Sequence, residues 1–95
     1  MHNQIPLMGN ITKIEQQSDA KSVVTLTIKR NCIEPTFDNI PVIVYGKLAK
    51  VISSYCKEGN YIGVKCHLIM KDDDSTMLIA DKVTLVQNQQ LTNMS

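Results

Sequence analysis

Ninety-five residues suffice for one small domain and are too few for two. A content of 43% hydrophobic and 20% charged residues excludes a disordered chain, and a net charge of +1 excludes a whole-molecule field that draws in nucleic acid or membrane. Any anion site must therefore come from local clustering. In chain order, Ile5, Leu7 and Ile11 share one face of a first strand, with Gly9 between them as a bend or bulge. Val24, Leu26 and Ile28 alternate with Val23, Thr25, Thr27 and Lys29 in a second strand. Ile40, Val42 and Val44 mark a third, which Pro41 places at an edge where it begins. The period then changes. Leu48, Val51, Ile52 and Tyr55 form the stripe of a short helix, with Tyr55 in the core and Gly59 as the C-terminal cap. Ile62, Val64, Cys66, Leu68 and Met70 give a fourth strand. A fifth over 77–86 breaks near Ala80-Asp81, where the apolar phase slips, and Asp72-Asp73-Asp74-Ser75 is the tight turn between them.

Three strands, one helix and two strands is the layout of an all-β, five-stranded OB-fold barrel, with the helix between strands three and four closing one end. A five-stranded sandwich with a stray helix is the competing arrangement. Residues 1–86 form the domain in this reading, and the polar residues 87–95 form a frayed tail. Ile43 and Leu78 have no place in a single core, and Val23, Ile69 and Met8 extend the surplus. A symmetric homo-oligomer, dimer or tetramer, would cover such faces.

The outer face of strands two and three is the usual oligonucleotide platform of this fold. Single-strand binding needs cations for phosphates and flat π surfaces for bases. Lys29 and Arg30 end strand two, Tyr45 ends strand three, and Lys47 follows it. Phe37 falls in the loop feeding strand three, Asn39 lies outward on that strand, and Lys71 adjoins the acidic turn. Each of these has a plainer role open to it. Tyr45 could pack at a rim or interface, and the lysines could be solvated charges.

The segment Val42-Ile43-Val44-Tyr45-Gly46-Lys47-Leu48-Ala49, followed by Tyr55-Cys56-Lys57-Glu58-Gly59-Asn60, resembles bacterial single-stranded DNA-binding protein. Leu7-Met8-Gly9-Asn10-Ile11-Thr12 looks like that family's opening strand, and Val23-Val24-Thr25-Leu26-Thr27-Ile28 like its second. The likeness spans residues 5–86. Ile40-Pro41-Val42-Ile43-Val44 with Gly46 also resembles primosomal replication protein B. The resemblance implies sequence-independent binding of single-stranded DNA in replication, recombination or repair, with replication-restart proteins as further partners. It places Tyr45 at a base-stacking position and Lys29, Arg30 and Lys47 near phosphates. The family's stacking tryptophan in strand three is replaced by Asn39 or displaced to Phe37. Its long basic hairpin is shortened here to an acidic turn, and its acidic C-terminal tip is missing.

Other chemistry is poorly supplied. Asp72, Asp73 and Asp74 lack the spacing and glycine of a calcium loop. Cys66 and His67 are adjacent on a strand and so point to opposite faces, while Cys32 and Cys56 have no CxxC partner. No cofactor is expected. No phosphate loop, HExxH or paired carboxylates with a base occurs, so the expectation is a non-enzyme. No apolar run is long enough to span a bilayer, the first residues do not read as a secretory signal, and three cysteines suggest reduced thiols in a cytoplasm.

Overall fold

The computed structural model describes residues 4–30, 36–87 and 90–93. Its elements are β1 (Gln4–Ser18), β2 (Lys21–Arg30), β3 (Thr36–Tyr45), α1 (Gly46–Tyr55), β4 (Tyr61–Met70), β5 (Thr76–Gln87) and β6 (Gln90–Asn93). The sheet order is β3-β2-β1-β4-β5-β6, and a short parallel pairing of β3 with β5 closes the first five into a barrel. This is the OB-fold arrangement expected, rather than the sandwich.

β1 makes closure possible by serving two partners. Residues 4–10 pair with β4 and residues 10–18 with β2. Gly9 stands at the changeover. A Cβ there would lie 2.5 Å from the Thr27 carbonyl oxygen and 2.9 Å from Ile28 Cγ1, so only glycine allows β1 and β2 to approach so closely. The glycine thus serves a close approach of strands, and the β1–β2 register slips just beyond it, between Ile11 and Lys13.

Alternation along the strands fills the interior. Ile11, Val24, Leu26, Val42, Val44, Ile62, Cys66 and Val83 are all essentially removed from solvent. Each such aliphatic side chain contributes about 1.5–3 kcal/mol through burial. Leu78 packs at the margin of this core, whereas Ile43 lies outside it, cross-strand from Val23. Pro41 pairs with Thr25 of β2 and falls just before the two β3–β5 rungs, at the border of pairing on its other side.

α1 stops one end of the barrel with Ala49 and Ile52, and Leu48 and Val51 are half-buried. Two details differ from the sequence reading. Tyr55 is 60% exposed, because the apolar stripe runs through Ala49, Ile52 and the buried Cys56. Gly59 is not the helix cap: α1 ends when Cys56 turns extended while still donating its N–H to the Ile52 carbonyl. Gly59, with φ of 97°, instead forms the turn into β4, where its N–H reaches the Ile11 carbonyl at 2.7 Å. The phase slip in β5 is a β-bulge at Asp81, between the pairs Lys65–Lys82 and Cys66–Ala80.

Within the stretch read as a frayed tail, Gln90–Asn93 pairs with residues 84–87 as β6. Edge pairing uses backbone groups alone, so a polar sequence gives no warning of it. His2 and Cys32 lie outside the described residues.

Candidate nucleic-acid interface

β2 and β3 pair through ten consecutive positions without a register shift. Because alternation is unbroken, one set of residues faces outward along the whole length. Its rungs are Lys21–Tyr45, Val23–Ile43, Thr25–Pro41, Thr27–Asn39 and Lys29–Phe37. Phe37 thus belongs to β3 and not to the preceding loop, and it stands on the same face as Tyr45. The two rings are 64% and 45% exposed and sit at opposite ends of the face, about 26 Å apart at ~3.3 Å per residue.

Each ring has a lysine across from it. Lys29 is directly opposite Phe37, and Lys21 Nζ lies 5.8 Å from the centre of the Tyr45 ring. The latter is a cation–π contact. Lys21 escaped the sequence reading, although its odd-numbered alternation with Val23, Thr25 and Thr27 could have revealed it. Lys47 projects from the first turn of α1, two residues past Tyr45, and Gly46 with φ of 59° allows the sharp change of direction between them.

The middle of the face is shallow and mixed. The Thr27 hydroxyl donates to Asn39 Oδ1 at 2.7 Å, which fixes the amide and leaves its NH2 toward solvent. Beside it, Val23, Pro41 and Ile43 join Leu68, Met77 and Leu78 around a groove of about 320 Å³. Apolar ledges of this kind accept the face of a base without choosing among bases.

Arg30 and Lys71 are not part of this face. Arg30 has the opposite alternation from Lys29, and its Nε and Nη2 donate to the two carboxylate oxygens of Asp38 at 2.6 and 2.8 Å. That forked hydrogen bond holds the Asp38 carboxyl below its ordinary range and raises Arg30 further. Lys71 begins the β4–β5 turn, where its N–H donates to the Ser75 carbonyl and its neighbours are Asp72, Asp73 and Asp74. Hydrogen bonds from Ser75 lower the Asp73 carboxyl, so the turn stays anionic.

Cys66 is buried and His67 half-exposed, on opposite faces as expected. Burial pushes the Cys56 and Cys66 thiols up, as suits small core residues. Among the described residues no group of three or more His, Cys, Asp or Glu is placed to hold a metal, and no helix is long and apolar enough to cross a membrane.

In fold, the chain is that of the small single-stranded DNA-binding proteins and PriB. A small single-stranded DNA-binding protein from Mycoplasma pneumoniae superimposes with a TM-score of 0.74 at 20% identity, over 95% of this chain and 100% of the other. The mitochondrial single-stranded DNA-binding protein Rim1 of S. cerevisiae gives 0.74 at 10% identity, over 90% and 95%. PriB from Ralstonia solanacearum gives 0.70 at 13% identity, over 90% and 99%. No family model and no curated protein sequence matches the chain.

Proposed function

We propose that the protein is a non-enzymatic, sequence-independent single-stranded DNA-binding protein whose platform is the outer face of β2 and β3. The observation that carries this reading is the pair of exposed rings, Phe37 and Tyr45, on one unbroken face with a lysine across from each. Bases stack on the rings, and Lys21, Lys29 and Lys47 approach the phosphates. Asn39 offers amide donors between the two ends. Arg30 orders the open end of the platform through Asp38, and Lys71 partly offsets the acidic turn. The structural neighbours named for single-stranded DNA binding support this reading. The reading itself gives the protein a role in replication, recombination or repair in the cytoplasm.

The test is fluorescence anisotropy of a labelled oligothymidine at low and moderate salt, with duplex as control. Single-strand binding that weakens with salt is the expected result, with log affinity falling by ~0.7 per log unit of salt for each phosphate neutralised. Absence of binding at low salt would overturn the proposal.

A second reading is favoured by Leu68 and Met70, which are more than half exposed on the β4–β5 pair together with Ile69. In it the barrel is a PriB-like subunit whose apolar surface docks on a second copy, as dimer or tetramer, or on replication-restart proteins. A native pull-down returning a stoichiometric partner, with no oligonucleotide binding, would favour it.

A further inference from the structure

The outer side of α1 and the loop behind it carry three lysines. Lys47, Lys50 and Lys57 are all exposed, and none forms an ion pair with another described residue. Glu58 is the only carboxylate in the segment 46–60. On a protein whose net charge is +1, this is the local clustering that anion binding requires. Lys47 also stands against the helix's own preference. The positive end of a helix favours an acid, and the first turn of α1 has none.

The lysines border an uncovered ring. Lys47, Val51 and Tyr55 are spaced i, i+4, i+8 and form one row on the helix, with Lys50 and Ser54 in the row beside it. Ala49 and Ile52 take the opposite side, against the core, and Tyr55 is left 60% exposed. From Lys47 to Tyr55 the row is about 12 Å long, at ~1.5 Å per residue. The loop beyond it is pinned. The Lys57 N–H donates to Asn60 Oδ1 at 2.8 Å, and the Gly59 N–H donates to the Ile11 carbonyl. The Lys57 backbone is therefore fixed just past the end of the helix.

This surface continues the β2–β3 platform. Tyr45 is the N-cap residue of α1, and Gly46, with φ of 59°, turns the chain from one surface to the other. A polynucleotide leaving Tyr45 meets Lys47 next. A membrane would need a wider apolar side than Val51 and Tyr55 offer, because Ala49 and Ile52 are already buried in the barrel. An acidic peptide would answer the lysines but leave the ring without a flat partner. A single strand brings both phosphates and bases.

Resting on the function proposed above, we propose that the outer side of α1 extends the path of the single strand beyond Tyr45. Tyr55 stacks a base there, and Lys50 and Lys57 take phosphates that the β2–β3 face does not reach.

The protein has no tryptophan, so Tyr55→Trp places a single fluorescent reporter on this surface. The position is exposed, so the exchange leaves the core untouched. One OB-fold covers about 4–16 nucleotides, so oligothymidines of 5 and 16 nucleotides probe the short and long limits. The 16-mer is expected to quench the indole, and the 5-mer, held on the β2–β3 face, to leave it nearly unchanged. In Lys50→Gln/Lys57→Gln the 5-mer affinity should hold. The salt dependence for the 16-mer should be shallower by about 1.4, from ~0.7 per phosphate lost. An indole unmoved by bound 16-mer, or an unchanged salt slope in the double variant, would overturn the α1 path while leaving the platform intact. So would emission that responds to polyglutamate but not to the 16-mer, which would mean an acidic peptide. Emission that shifts with protein concentration alone would mean a second copy on this face and would overturn it too. Failure of the wild type to bind either oligonucleotide would instead overturn the proposed function itself.

Discussion

The β2–β3 and β4–β5 pairs each run through ten cross-strand positions, yet their outer surfaces differ in kind. The first is unbroken, so alternation holds from Lys21 to Arg30 and its outer residues form one platform with a ring at each end. The second carries a bulge at Asp81 and an acidic turn at its tip, and its outer charges are rearranged accordingly. An unbroken pair makes a long, even face. A bulged pair makes a locally re-aimed one. If the first is the platform and the second sets its limits, changes in the two should have separable effects.

The largest effect belongs to the rings. Removing both in Phe37→Ala/Tyr45→Ala should cost about 2–6 kcal/mol of oligonucleotide binding, at ~1–3 kcal/mol per stacked base. Because both side chains are substantially exposed, the melting temperature should stay near wild type. Equal affinity in a folded double variant would remove the platform from this face and end the comparison.

Gly9 is the joint between the two halves, where β1 leaves β4 for β2. In Gly9→Ala the new methyl meets a backbone oxygen, which cannot rotate away as a side chain would. Opening the β1–β2 pair to admit it should cost about 1–3 kcal/mol of stability, seen as a lower thermal midpoint. An unchanged midpoint would show that the halves can shift relative to each other at this point.

What the sequence reveals follows the same division. The strands, the turn at Asp72-Asp73-Asp74 and the break at Ala80-Asp81 were legible because a closed barrel with one wet face imposes a period of two wherever the ladder is regular. The spacing of large apolar residues draws Tyr55 into the helix stripe, but the small residues Ala49 and Cys56 define the buried side. Adjacency in sequence pairs Arg30 with Lys29 as a cation cluster, but neighbours on a strand point to opposite sides. The start of β3 has no apolar alternation to mark it, so the sequence pattern alone sets Phe37 in a loop. Alternation alone puts Lys21 on the face of Val23, Thr25 and Thr27, but the ring across from it comes only with the register. The pairing of β6 lies in backbone groups that no side-chain pattern reports.

A smaller effect concerns the turn at the tip of the bulged pair. The parallel rung Val42–Leu78 sets the start of β5 beside the middle of β3, so the preceding turn lies toward the Asn39 end of the platform. Its carboxylates repel a phosphate chain there. Neutralising them in Asp72→Asn/Asp73→Asn/Asp74→Asn should raise the affinity for a short oligothymidine a few-fold at low salt. The gain should fade near physiological salt, where the screening length is about 8 Å. A gain that persists there would mean direct contact with the turn and would blur the division between the two pairs.

The smallest effect is at the open end of the platform. Asp38 has its carboxyl lowered chiefly by the hydrogen bond from Arg30. A depressed carboxyl contributes stability above its unfolded value, here 3.8, and that contribution is lost as pH falls through the lower folded value. Thermal midpoints measured from pH 7 downward should therefore fall less steeply below about pH 4 in Asp38→Asn than in wild type. The difference should be slight, since the ion pair is exposed to solvent. Identical acid limbs would show that the forked bond does not persist in solution. Arg30→Gln supplies the companion measurement on binding: Arg30 points away from the platform, so short-oligonucleotide affinity should hold, whereas Lys29→Gln should weaken it. Equal losses from the two substitutions would mean that the strand engages both faces of β2, and the unbroken pair would no longer define a single platform.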